Sequence, residues 1–389
     1  MSRFFTVVVL GSTQTLAWAS SYYLPAVLAD RMAAELGLST NWIFGVFSGS
    51  LVLTAVMGPK VGRTIDALGG NGVLAGSNLL FALGLVLLAL AHSLPLFIAA
   101  WIALAIGMGL GLYDSAFGAL GRLYGSDARG AITGITLIAG FASTIGWPLT
   151  AWGAATIGWR ETCLAWAAAH LLLGLPANWF LLPRPAVATP AERAALQAVR
   201  IPIERRMVLL AFAFAAAWLV TAGMAAHFPR ILEAAGATPA EAIAAGALIG
   251  PAQVGARLLE MGPLARLHPL ITARLAALTH PLGAALLLVT GAGGVMSGVF
   301  ALLHGSGNGI LTIARGSVPL ALFGPENYGY RLGLLGAPAR FLQAAAPFAF
   351  SLLLEHLGGD VLFVSAALSL SACAAFCLLA IPHAPARAA

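Results

Sequence analysis

The chain has 389 residues, of which 60% are apolar and only 9% charged, and its mean hydropathy is +0.92. A soluble domain carries about 25% charged residues, so 20 basic and 14 acidic side chains cannot coat a soluble fold of this length. The net charge of +6 does not indicate a nucleic-acid partner, because the basic residues are scattered between apolar runs and form no stripe. What remains is a chain solvated by lipid, and its 45 glycines suit the close helix packing found there.

Arg3, the apolar run Phe4–Gly11 and the small-residue step Ala17-Trp18-Ala19 resemble a cleaved signal. The apolar stretch resumes through Tyr22-Tyr23-Leu24-Pro25 to Leu28, which makes a first spanning helix the better reading. A span needs about 20 mostly apolar residues. On that criterion the chain offers twelve: 5–29, 41–61, 73–92, 95–119, 131–156, 161–182, 207–231, 240–262, 270–291, 294–317, 331–354 and 360–381. The one long polar break, 183–206, falls near the midpoint and divides the chain into 1–182, a linker and 207–389. With the N-terminus inside, Arg3, Lys60, Arg63, Arg122, Arg129, Arg184, Arg193, Arg200, Arg205, Arg206, Arg266, Arg274, Arg331 and Arg387 share the inner side. The outer side holds Arg31 and Arg160, with Arg230 near a helix end, an asymmetry that places both termini inside.

The second half repeats the first. Leu123-Tyr124-Gly125-Ser126-Asp127-Ala128-Arg129-Gly130 and Leu322-Phe323-Gly324-Pro325-Glu326-Asn327-Tyr328-Gly329 share leucine, aromatic, glycine, acid and glycine at an offset of 199 residues. Helices 2 and 8 begin at the same offset, near Ser39 and Thr238. Between helices 2 and 3, Gly62-Arg63-Thr64-Ile65-Asp66-Ala67-Leu68-Gly69 resembles the signature loop of the major facilitator superfamily. Gly62, Asp66 and Gly69 match it, while Gly70-Asn71-Gly72 stands where that family has basic residues. Gly140 to Gly146-Trp147-Pro148 is similar to the family's glycine–proline bend in helix 5, and Gly158-Trp159-Arg160 is also familiar there. The resemblance implies an all-α membrane protein of twelve transmembrane helices in two pseudo-symmetric six-helix bundles. It also implies gating roles for Arg63 and Asp66, since a carboxylate at a helix junction can cap a helix and pair with arginine.

Ionisable and polar groups inside spans mark function. Helix 8 carries Gln253, Arg257 and Glu260. At an offset of 194, Arg257 and Glu260 fall on Arg63 and Asp66 as a second gating loop; at 199, Arg257 falls on Gly58, one turn deeper and facing a central cavity. The deeper register makes Arg257 similar to the anion-binding arginine of the oxalate/formate and monocarboxylate branch, with Gln253 on the same face. Helix 11 adds Arg340 and Gln343, and helix 10 adds His304 and Asn308 one turn apart. His280, in helix 9 before Pro281, reads as a packing or kink residue. Helix 1 presents Gln14, Thr15, Trp18, Ser20, Ser21, Tyr22 and Tyr23, a polar and aromatic set suited to a cavity wall. Asp114 in helix 4 lies where Arg122 or Arg129 can pair with it, or where it can carry a proton.

This inventory is rich in arginine and poor in acid, which favours an anionic or carboxylate-bearing solute over a cationic drug. The expected substrate-binding set is Arg257, Gln253, Arg340, Gln343, His304, Asn308, Gln14 and Tyr22, and the expected gating set is Arg63, Asp66, Asp114 and Glu260. No His-Glu-x-x-His, paired catalytic carboxylates or phosphate loop points to an enzyme or a primary pump. The expectation is a monomeric secondary transporter of a bacterial inner membrane, without metal or cofactor, driven by protons or a counter-substrate. Efflux of a drug or of arsenite, or uptake of a larger aromatic solute such as a vitamin, stays open at this point.

Overall fold

Every regular element among the described residues is helical. The structure is a computed structural model that describes residues 2–184 and 189–381, without the side chains of residues 193, 194 and 197. Arg387, counted above for orientation, lies outside the described residues, as do residues 185–188 of the linker.

Twelve membrane helices follow in order, several of them interrupted. Helix 1 runs Arg3–Ala17, widens through one π turn at Trp18–Tyr22 and continues as Pro25–Leu36. Helix 2 is Thr40–Leu68 and helix 3 Gly70–Ala89. Helix 4 is split into Leu94–Gly111 and Tyr113–Tyr124, helix 5 into Arg129–Ala139 and Ala142–Thr156. Helix 6 comprises Trp159–Ala169, a π turn at His170–Gly174 and Leu175–Phe180. A linker helix, Pro190–Ala198, precedes helix 7 at Arg205–Ala234. Helix 8 joins Pro239–Ala247 to Ile249–Met261; helices 9 and 10 are Pro269–Thr290 and Val295–Phe323. Helix 11 is Tyr328–Leu357 and helix 12 Val361–Cys377.

Local chemistry sets these boundaries. Thr-Pro-Ala-Glu occurs twice, at Thr189–Glu192 and Thr238–Glu241, and in both places it closes a full capping box with proline at the helix start. In the linker, the Thr189 backbone N–H and hydroxyl both donate to Glu192 and hold its carboxyl below the ordinary range. Gly69, at φ 83°, is the single residue between helices 2 and 3. The signature stretch from Gly62 to Leu68 is therefore the end of helix 2 and not a loop, a correction to the sequence reading, because its apolar residues Ile65 and Ala67 are buried and continue the helix.

The chain divides into two units. The first holds Met1–Ile201 with Pro325–Ala345, and the second holds Pro202–Gly324 with Ala346–Ala389. The first unit has a core around Leu24, Leu28, Met32, Phe81, Phe97 and Trp101. The second is centred on Phe228, Ile231, Leu287, Phe300 and Phe350. Helix 11 thus lends its opening turns to the first unit.

The break in helix 4 is built from glycine and is braced by helix 1. Leu112 is extended (φ −86°, ψ −173°) after Gly107, Gly109 and Gly111, which frees carbonyls from the helical ladder. Buried backbone groups must be paired inside a membrane. The Gln14 amide donates to the Gly111 carbonyl at 2.5 Å, and the Ser115 hydroxyl donates to that of Gly109 at 2.9 Å. Gln14→Leu should leave the Gly111 carbonyl without this donor and cost about 1–3 kcal/mol, read as a lowered midpoint of thermal unfolding in detergent.

Candidate functional site

Two layers of polar side chains meet the first turns of helix 11 within the first unit. In the first layer Asp66 accepts from the backbone N–H of Gly329 at 2.9 Å and of Tyr330 at 2.8 Å. These are first-turn donors that a helix cannot satisfy itself, and a carboxylate there also meets the positive end of the helix dipole. Beside it the Arg63 guanidinium lies 3.9 Å from the Tyr330 ring centre and donates to the Tyr330 hydroxyl at 2.6 Å and to the Val199 carbonyl at 3.2 Å.

Close backbone approach makes the Asp66 contacts geometrically available. A Cβ at Gly62 would overlap the Gly329 carbonyl, and one at Gly333 would overlap the Gly58 carbonyl. Gly58-x-x-x-Gly62 on helix 2 therefore lies against Gly329-x-x-x-Gly333 on helix 11, a pairing of small-residue motifs that lets membrane helices touch along their backbones. Both spacings are legible in the sequence, but nothing local says that they meet.

In the second layer Arg340 forms an ion pair with Asp114, and its other terminal nitrogen reaches the Thr54 carbonyl at 3.4 Å. The two charged side chains are only 12% and 10% exposed. Sequence reading looks for the partner of Asp114 nearby, at Arg122 or Arg129, whereas the structure supplies Arg340 from helix 11. The break at Leu112 puts Asp114 in the first turn of Tyr113–Tyr124, where a helix N-terminus favours an anion. Gln343, three residues after Arg340 and on the same helix face, donates to the Tyr22 hydroxyl. Asp114, Arg340, Gln343 and Tyr22 are thereby brought together; Gln14 is held at the break of helix 4 instead.

The second unit holds the remaining candidates. Arg257 and Glu260 are buried in the last turns of helix 8, and the Thr272 hydroxyl donates to Glu260 at 3.3 Å. Helix 8 spans 23 residues against 29 for helix 2. Gly262-Pro263 ends it early, so Arg257 and Glu260 stand as near its end as Arg63 and Asp66 stand to theirs. The 194 offset, rather than 199, describes their place. Gln253 is half-buried, with its backbone against Gly309. His304 lies 2.9 Å from His280 between Nδ1 atoms, and His280 Nε2 lies 3.0 Å from the Ser365 hydroxyl. Since Ser365 already donates to Leu362, His280 donates to Ser365 and accepts from His304. His280 is thus a hydrogen-bonded member of a buried pair, in keeping with the packing alternative of the sequence reading. Asn308 accepts from Thr221 at 3.3 Å, and a cavity of about 20 Å³ beside these groups has room for one water. Among the described residues no cluster of three or more metal-ligating side chains occurs.

A discontinuous helix carrying a buried ion pair, within an all-helical polytopic chain, belongs to the architecture of secondary transporters. The profile of the Major Facilitator Superfamily matches residues 10–312, and the chain belongs to that superfamily. No curated protein matches the chain by sequence. Among solved structures, the human organic anion transporter MFSD10 (TETRAN) is 17% identical with a TM-score of 0.71, over 97% of this chain and 100% of that one. The proton:xylose symporter XylE, bound to 6-bromo-6-deoxy-D-glucose, is 14% identical with a TM-score of 0.71, over 96% of this chain and 94% of that one. The transporter FucP, in the outward conformation, is 15% identical with a TM-score of 0.72, over 97% of both chains. At such identities the likeness is one of fold. The chain is a multi-pass integral membrane protein with the twelve-helix, all-α fold of the superfamily, and its general function is secondary transport.

Proposed function

We propose that this chain moves a small organic anion, a carboxylate in particular, by alternating access, and that Arg340 is the guanidinium that meets it. The Arg340–Asp114 pair carries the reading. A guanidinium matches a carboxylate in shape and charge, and inside a membrane an arginine is kept only where it is paired. A substrate carboxylate offers Arg340 the same group that Asp114 offers it. Anion and Asp114 therefore compete, and protonation of Asp114 releases Arg340 to the anion, which couples proton and solute. Gln343 and Tyr22 complete the substrate face. Asp66, with Arg63, is the gate, because its contacts to helix 11 hold one state and must break for the other. Arg257 and Glu260, buried near the end of helix 8, are a second gating position, and His304, Asn308 and Gln253 lie in the second unit.

The proposal includes halves at 1–182 and 207–389 joined by the linker, both termini in the cytoplasm, a bacterial inner membrane, a monomer and no cofactor. The likeness to the human organic anion transporter, like that to XylE and FucP, speaks for the fold and not the substrate, so the ion pair alone carries the anion reading. Uptake of labelled lactate, oxalate and benzoate into proteoliposomes tests the reading. At least one should accumulate, faster with an inward proton gradient or with carboxylate trapped inside. Failure of all three, with export of arsenite or of a cationic dye instead, overturns it in favour of an efflux pump.

A further inference from the structure

The ion pair adjoins a cluster of aromatic side chains that the gate does not explain. Trp18 lies 4.9 Å from Tyr113, 5.1 Å from Tyr22 and 5.9 Å from Tyr23 between ring centres. Tyr23 lies 5.8 Å from Trp147, and Tyr22 lies 5.4 Å from Phe47. Helices 1, 2, 4 and 5 all contribute. The cluster is continuous with the charged pair, since Tyr113 precedes Asp114 and Tyr22 receives the Gln343 amide.

Three observations point to a ligand. The Trp18–Tyr22 segment is a π turn, a form concentrated at functional sites, and it sets Trp18 against both Tyr22 and Tyr23. The rings lie at the edge of the core: Tyr22 packs against it, but Trp18, Tyr22, Tyr23 and Tyr113 are half-buried and Trp147 is exposed, unlike the fully buried Phe81, Phe97 and Trp101. The Trp18 indole Nε1 is buried with no acceptor among the described residues, as are those of Trp101 and Trp159, and of the three only Trp18 stands in the half-buried cluster beside the ion pair. Interfacial tryptophan and tyrosine belts also present half-exposed rings, but such a belt does not adjoin a buried ion pair.

We infer that the transported anion is an aromatic carboxylate, its ring stacked against Trp18 and Tyr113, its carboxylate on Arg340 and an acceptor atom within reach of the Trp18 indole N–H. This rests on the anion reading above and narrows it from carboxylates in general to planar aromatic ones.

The test is binding to the purified full chain, followed by thermal shift and by tryptophan fluorescence, with benzoate, cyclohexanecarboxylate, acetate and benzylamine as probes. Benzoate should bind about tenfold tighter than acetate, as stacking on one or two rings allows, with cyclohexanecarboxylate between them and benzylamine not binding. Trp18→Leu should bring benzoate down to the level of acetate and leave acetate unchanged, while Trp18→Phe restores most of the difference. Acetate binding as well as benzoate, or a loss of both in Trp18→Leu, overturns the aromatic inference and leaves the anion reading standing. Acetate binding without benzoate overturns the aromatic inference alone, whereas binding of neither carboxylate, with or without benzylamine, overturns both.

Discussion

Replacing Arg340 by lysine should cut carboxylate transport by about 100-fold while the protein still inserts and folds. The substitution keeps the positive charge, so bulk electrostatics and topology stay as they are. What it removes is the planar fork that reaches Asp114 with one nitrogen and the Thr54 carbonyl with another. Truncating one member of a buried charged pair costs about 2–5 kcal/mol at an interface, and a hundredfold loss lies at the lower end of that range. Arg340→Gln should be worse, because it leaves Asp114 without its cation. Asp114→Asn separates the two roles: Arg340 should still bind the anion and exchange it, but accumulation against a gradient should fall toward the level reached without a proton gradient. Measured as initial rates in proteoliposomes, full activity in Arg340→Lys would refute the placement of the substrate.

Gly62→Val should stop turnover almost completely, although Gly62 is not itself a proposed substrate contact. Its Cβ would fall on the Gly329 carbonyl, a backbone atom that cannot turn aside. Helices 2 and 11 would have to separate, and Asp66 would lose its hydrogen bonds to Gly329 and Tyr330. Overpacking of this kind costs about 1–3 kcal/mol, all of it charged to the one state in which these helices touch. Gly45→Val is the matched control: it lies on the same helix, where a Cβ meets nothing within 4 Å, and should transport normally. Asp66→Asn is the milder test of the same gate. It removes the charge and keeps an acceptor oxygen, so it should slow turnover more than it weakens substrate binding, in the assay used for Gly62→Val. Equal transport by Gly62→Val and Gly45→Val would show that the glycine contact is not used in the cycle.

Hydropathy and glycine content are local properties, and they were enough to define a polytopic helical membrane chain with twelve crossings. The signature residues Gly62, Asp66 and Gly69 were also readable, because the family writes them into one short segment. Helix interruptions were less legible. Leu112 breaks helix 4 in the middle of an apolar run, and the signal, glycine at 107, 109 and 111, is shared with glycines that merely let helices pack. The partner of Asp114 was out of reach of any local reading, since Arg340 is 226 residues away and two closer arginines compete on paper.

Composition and periodicity thus determined the solvent, the helices and which residue types could matter. Tertiary structure alone decided which of them meet: Asp66 with the start of helix 11, Gly62 with Gly329, Arg340 with Asp114, Gln14 with the Gly111 carbonyl and His280 with His304. The reason is physical. Lipid offers no hydrogen bonds, so every buried polar group must find its partner inside the protein, and the close helix contacts that bring such partners together join residues far apart in the chain.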